Sequence, residues 1–178
     1  MGSGPEARKS SKIAIKMLER LLEAGFDKDI SIKLINSTLI ANLEEDMYAT
    51  LDVAILDLYK GNLEFIKNGA CPTFIKRGKE IQILKSLELP TGIVENMDLV
   101  VYDYDLQPDD LIVMCTDGVI ESNTEYISKE LWIKYLLEDM QTTDAQKIAD
   151  IILSEAIDNN YGKQKDDMTV IVAKIGRS

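Results

Sequence analysis

Three features of this 178-residue sequence predict an α+β fold in which antiparallel sheet is covered by helices. Apolar residues recur at helical spacing near the start of the chain and again in its last third. Between those stretches lie short runs of β-branched and aliphatic residues. The turns between runs are too short for parallel crossovers, so neighbouring strands should pair antiparallel. The expected order is two helices, about six strands, two helices and a closing strand, all in one domain.

Each element has its own signal. Ser3 and Glu6 have the spacing of a capping box. Behind them Ala14, Met17, Leu18, Leu21 and Leu22 form one helical stripe, and Gly25 is the expected stop. Asp27 is placed to cap a second helix carrying Ile30, Leu34, Ile35 and Leu39. Thr50–Tyr59 then reads as a strand, Lys60-Gly61-Asn62 as a turn and Leu63–Lys67 as the next strand. Thr73–Lys76 and Glu80–Leu84 flank Arg77-Gly78-Lys79 as a hairpin. Leu99–Leu106 and Leu111–Cys115, separated by Gln107-Pro108-Asp109, read as a third hairpin. One later helix carries Leu131, Trp132, Tyr135 and Leu136. The other is expected to start at Thr143, with Gln146 as its capping-box partner, and carries Ile148, Ala149, Ile152 and Ala156. Met168–Ile175 closes the chain as a strand.

Composition narrows the function. A net charge of -11 argues against a nucleic-acid backbone as partner and against contact with an anionic membrane. No apolar run reaches the roughly 18 residues that cross a bilayer. The first residues lack the apolar core of a secretory signal, and Cys71 and Cys115 read as reduced thiols, so a cytoplasmic setting is expected. The sequence has no histidine. Ser-His-Asp and Cys-His chemistry and histidine-ligated zinc are therefore excluded. Carboxylates are abundant, and oxygen ligands suit magnesium or manganese.

Two acidic positions interrupt apolar strands. The run Leu111–Cys115 stops at Thr116-Asp117-Gly118 before Val119-Ile120 continues it. Asp-Gly is a common strand-end turn, but a carboxylate there could also be a metal ligand at the tip of a rigid strand. Asp166-Asp167 stand just before the closing strand, where they could merely end a polar loop. If the two strands are antiparallel neighbours, Asp117 and Asp166 converge. Converging carboxylates repel, and a divalent cation is the usual remedy. The C-x5-R spacing of Cys71 and Arg77 is a decoy, because Pro72 has no N–H for a phosphate cradle and Thr73–Ile75 reads as strand.

T-D-G-V-I-E at Thr116–Glu121, followed about fifty residues on by D-D-M-T-V-I-V at Asp166–Val172, resembles the metal-dependent (PPM-type) serine/threonine protein phosphatases. The resemblance spans nearly the whole chain. Thr50-Leu51-Asp52-Val53-Ala54-Ile55, the glycine turn Asn68-Gly69-Ala70-Cys71-Pro72 and the L-P-x-G loop Leu89-Pro90-Thr91-Gly92-Ile93 all share it. It is strongest to phosphatase domains of the stage II sporulation protein E type.

The resemblance implies a PPM-phosphatase-like antiparallel β-sandwich flanked by helices. It implies two Mn2+ or Mg2+ ions in the complete domain, whose bridging water attacks phosphoserine or phosphothreonine in one step. Asp117 and Asp166 match metal ligands, whereas Asp167 stands where many relatives have asparagine. The implied partner is a phosphorylated anti-anti-sigma protein in sporulation signalling, with membrane attachment left to an upstream region of the parent. The helices after the first metal loop are implied to couple partner contact or homodimerisation to the metal site. Met1-Gly2-Ser3-Gly4 matches the tail of the family's D-G-M-G-x-G loop, so the bridging aspartate and the first strands are expected upstream of residue 1. The chain alone is then an N-terminally truncated, weak catalyst. A non-catalytic, PPM-like partner-binding module is the alternative, and the intact Asp117 and Asp166 favour the enzyme.

Overall fold

The computed structural model describes residues 5–41, 48–57, 59–95, 97, 99–160 and 166–176, with side chains from residue 9 onward. The expected Ser3–Glu6 capping box lies outside the described residues. The chain opens with α1 (Pro5–Glu23) and α2 (Lys28–Ile40). Strands β1 (Leu51–Asp57), β2 (Asn62–Asn68), β3 (Thr73–Arg77), β4 (Glu80–Leu84), β5 (Val101–Asp105) and β6 (Leu111–Cys115) follow. Then come α3 (Asp117–Ile120), α4 (Leu131–Asp139), α5 (Ala145–Asn159) and β7 (Val170–Lys174). The strands form a three-stranded sheet ordered β1-β2-β5 and a four-stranded sheet ordered β4-β3-β6-β7.

The chain divides into two compact units: Met1–Leu56 with Glu64–Ala70 and Ser86–Asp103, and Asp57–Leu63 with Cys71–Lys85 and Tyr104–Ser178. In the first, α1 ends where Gly25 adopts φ 83°, a left-handed conformation that glycine takes without steric cost. There the Gly25 N–H donates to the Leu22 carbonyl and the Phe26 N–H to that of Leu21, each at 3.0 Å. Asp27 is the N-cap residue of α2, although its side chain makes no capping bond among the described residues.

The buried face of α2 differs from the predicted stripe. Ile35 and Leu39 are buried as expected, but Ile30 and Leu34 are 48% and 41% exposed, and Ser31, Ile32 and Asn36 face inward instead. Asn36 explains the rotation. Its Nδ2 donates to the Val94 carbonyl at 2.8 Å and its Oδ1 accepts from the Gly92 N–H at 2.8 Å. Those bonds fix the turn of the helix about its axis against the L-P-x-G loop. Ala14, Ile32, Ile35, Leu39 and Ile66 form the core of this unit.

In the second unit one face of the four-stranded sheet is covered by α4 and α5. Phe74, Val113, Ile133, Leu137, Ile148 and Ile152 are each fully buried there. Burial of side chains this size contributes about 1.5–3 kcal/mol each relative to exposure. Two local expectations shift. Asp144 caps α5 in place of Thr143, its carboxylate accepting from the Lys147 N–H at 3.1 Å, while Gln146 donates to Asp150. In α4 the inward residues are Trp132, Ile133 and Leu137, and Tyr135 is 44% exposed. The Trp132 indole N–H, donating to the Ile120 carbonyl at 3.2 Å, sets that rotation.

The third predicted hairpin is not formed. β5 lies beside β2, whereas β6 runs antiparallel between β3 and β7. The diversion is held at Asp110, which is 1% exposed. Arg77 donates from Nε to Asp110 Oδ1 at 2.9 Å and from Nη2 to Oδ2 at 2.7 Å, and the Gln107 N–H donates to Oδ2 at 2.8 Å. Arg77 Nη2 also reaches the Asp105 carbonyl at 2.9 Å. Asp109, at φ 72°, donates its N–H to the Ile175 carbonyl at 2.9 Å, and the Ile175 N–H returns to the Asp110 carbonyl at 2.9 Å. A three-residue turn that would have folded β6 back on β5 is thereby tied to β3 and the end of β7. The hydrogen-bonded carboxylate of Asp110 also holds the Arg77 guanidinium above its already high range. Arg77 is thus committed structurally to Asp110 and the Asp105 carbonyl.

Asp110→Asn should lower Tm distinctly more than Asp105→Asn in thermal denaturation. It weakens the bidentate pair, whereas Asp105 contributes a backbone carbonyl that the substitution leaves in place.

Candidate metal centre

Asp117 owes its position to the end of β6. Leu111 pairs with Lys174 and Cys115 with Val170, in antiparallel register. The ladder continues one residue further, the Thr116 N–H donating to the Thr169 carbonyl at 3.1 Å. The Thr116 hydroxyl then bridges two backbone groups of the opposite segment. It accepts from the Thr169 N–H at 2.9 Å and donates to the Asp167 carbonyl at 3.1 Å. β6 therefore ends beside the segment that carries Asp166 and Asp167, at the same end of two neighbouring strands.

The Thr-Asp-Gly step is not a turn. Thr116 is the N-cap residue of α3, and Asp117 is the first residue of that short helix. Gly118 is buried within it. Its backbone is not in the left-handed region, so conformational freedom does not explain the glycine. Space does. A Cβ built on Gly118 would stand 2.5 Å from the Asp167 carbonyl oxygen and 3.3 Å from the Asp166 Cβ. The lack of a side chain at Gly118 is what lets the Asp167 carbonyl, in the peptide to Met168, approach the residue beside Asp117.

Both aspartates are oriented locally. The Gly118 N–H donates to Asp117 Oδ1 at 3.0 Å, and the Asp167 N–H donates to Asp166 Oδ1 at 2.8 Å. Asp117 is half-buried, while Asp166 and Asp167 are exposed. The donor set is carboxylate oxygen, which fits a hard divalent cation such as Mn2+ or Mg2+. The absent side chain at Gly118 lets the segment of Asp166 and Asp167 lie against the backbone next to Asp117. No group of three or more Asp, Glu, Cys or His that could hold a metal ion occurs among the described residues. The two residues that sequence reasoning passed over are Thr116 and Gly118. Both stood in the quoted motif, but a hydroxyl bridge and a close backbone approach have no signature in one sequence.

Comparison with known proteins agrees with the motif pair. The family described as Stage II sporulation protein E (SpoIIE) matches residues 1–176. Stage II sporulation protein E of Bacillus subtilis (strain 168) is 39% identical over 175 residues, covering 98% of this chain and 21% of that protein. The chain thus spans about a fifth of that relative's length. A solved structure of the PP2C phosphatase domain and a fragment of the regulatory domain of SpoIIE from B. subtilis is similar with TM-score 0.88 and 39% identity, covering 98% of this chain and 52% of that one. A structure of the phosphatase domain of the same relative, presoaked with Mn, is similar with TM-score 0.71 and 34% identity, covering 100% of this chain and 76% of that one.

Gly118→Ala gives opposite expectations from helix propensity and from packing. Propensity alone favours alanine by up to about 1 kcal/mol. The 2.5 Å approach to a backbone oxygen predicts net destabilisation instead. A lowered Tm in the alanine variant is the expected outcome.

Proposed function

The chain belongs to the stage II sporulation protein E (SpoIIE) family, and from that premise we propose that it works in the metal-dependent dephosphorylation of phosphoserine or phosphothreonine in a protein. Its mixed helices and antiparallel sheet match the PP2C-type phosphatase domains of that family. The observation that carries the proposal is the arrival of Asp117 and Asp166 at the same end of two neighbouring strands, with Gly118 making room between their segments. The substrate is a phosphorylated anti-anti-sigma protein of sporulation signalling, as the resemblance implies.

Asp117 and Asp166 are the residues that would hold Mn2+ or Mg2+, and the Mn-soaked relative is in keeping with that assignment. Such an ion supplies Lewis acidity and makes water nucleophilic at neutral pH. The chain's part is to hold the carboxylates, oriented by the Gly118 and Asp167 N–H groups. With no histidine in the sequence, no imidazole is available as a general base. Two carboxylates supply few of the roughly six oxygen positions such ions require. Residues 1–178 alone are therefore proposed to be a weak catalyst, with further ligands coming from the rest of the complete domain.

The partner surface is proposed to be the helical hairpin. Leu22, Phe26, Ile30 and Leu34 are 41–48% exposed and Ile15 is 64% exposed. These residues run over α1, the turn after it and α2. Apolar side chains gathered on one hairpin suit association with a second copy of the chain.

Two expectations follow for the protein in solution. Asp117→Asn and Asp166→Asn should each weaken Mn2+ binding measured by calorimetry, while circular dichroism stays that of the wild type. Unchanged affinity in both would remove the metal assignment and favour the non-catalytic module. In sedimentation analysis, Phe26→Glu should shift any dimer towards monomer, and an unaltered dimer would place the interface elsewhere.

A further inference from the structure

We propose that Thr116 is a positioning residue: its hydroxyl latches the Asp166–Asp167 segment beside Asp117, and so sets the geometry of the carboxylate pair. The inference rests on the reading of Asp117 and Asp166 as metal ligands, and it assigns a role to a residue that is not itself a ligand in that reading.

The latch uses three bonds from one residue. The backbone N–H of Thr116 donates to the Thr169 carbonyl at 3.1 Å, which ends the β6–β7 ladder. The hydroxyl accepts from the Thr169 N–H at 2.9 Å. The same hydroxyl donates to the Asp167 carbonyl at 3.1 Å. A hydroxyl is one donor with acceptor lone pairs, so it can satisfy an N–H and a C=O at once. No aliphatic side chain of the same shape can. The bonded groups flank Met168, whose side chain packs with the core under α5. Met168 thus tethers the segment to the core while Thr116 bonds its backbone on either side.

Gly118 completes the arrangement from the other side of Asp117. The Asp167 carbonyl oxygen that receives the Thr116 hydroxyl is the atom 2.5 Å from where a Gly118 Cβ would stand. Thr116 pulls this carbonyl in, and Gly118 leaves the room for it. Asp117 lies between them in sequence, and Asp166 is one residue removed from the latched Asp167 carbonyl. The approach of the Asp166-bearing segment to Asp117 therefore depends on one side-chain oxygen and one missing side chain. Both hydroxyl bonds are at exposed positions. Water can replace them when they are lost, so the fold should survive while the segment loosens.

The test uses the metal-free chain first. In Thr116→Val, amide hydrogen exchange followed by NMR should show Thr169 losing protection by about tenfold, while Val113 and Ile152 keep theirs. Thr116→Ser, which restores the hydroxyl, should stay within about twofold of wild type. Mn2+ affinity by calorimetry should then fall about fivefold in Thr116→Val and recover in Thr116→Ser. If the valine variant does not fold, Thr116→Ala carries the same comparison. Unchanged Thr169 protection in the variant without the hydroxyl would overturn the latch. So would a loosened segment with undiminished Mn2+ affinity. If the wild-type chain takes up no Mn2+ while the exchange contrast between valine and serine holds, the metal assignment fails and the latch stands.

Discussion

Antiparallel pairing of Leu111–Cys115 with Val170–Lys174 is the constraint on which the candidate centre depends. A strand ladder permits no gradual adjustment. A slip of one residue turns every side chain to the opposite face. Here it would move Val113 and Cys115 out of the core under α4 and α5, where they are 0% and 7% exposed. The hydrophobic cost of that slip locks the register. The register in turn decides which residue follows the end of each strand. Thr116 and Thr169 meet because the core pairs behind them cannot move, and Asp117 lies beside the segment of Asp166 for the same reason.

Buried charge is handled in the same unit by direct pairing. Asp110, almost without solvent contact, is met by both arms of Arg77 and by the Gln107 N–H. Lys76, on the opposite face of β3 from Arg77, is 4% exposed and donates to the Leu137 carbonyl in the last turn of α4 at 2.7 Å. Burial pushes its ammonium below the ordinary lysine range, while the helix C-terminus is the end that favours a cation. Burial pushes the Glu130 carboxyl up, but the Lys85 hydrogen bond, a backbone N–H and the Lys85 charge together outweigh that and leave it below the usual range. In the other unit, fully buried Lys67 pairs with Asp52 at 2.6 Å. Removing one partner of such a pair leaves an uncompensated buried charge, which is costly.

Two departures from the predicted elements share a cause. Periodicity located α2 but misjudged its inward face, because Asn36 binds a loop more than fifty residues away in sequence. A capping box was legible at Thr143, yet the neighbouring carboxylate of Asp144 took the cap. The third hairpin failed because Asp110 found Arg77, 33 positions earlier. In every case the elements themselves, helix or strand, were correct in type. At α2 and the third hairpin a polar side chain with a distant partner then selected among the conformations that local preference allowed, whereas at α5 the choice fell between two neighbouring residues.

What the sequence by itself determined is considerable: the α+β class, the sites of both helical regions, the positions of the strands, and Asp117 and Asp166 as the acidic positions. These follow from short-range physics, namely the 3.6- and 2-residue periods, glycine punctuation and the cost of a charge in an apolar strand. Tertiary structure decided that β6 lies between β3 and β7, that Asn36 sets the rotation of α2, and that Thr116 and Gly118 hold the Asp166 segment in place. Each of those depends on a hydrogen bond or a close approach between residues far apart in the chain. Such contacts exist only after the core has fixed where the strands run, so no window of neighbouring residues encodes them.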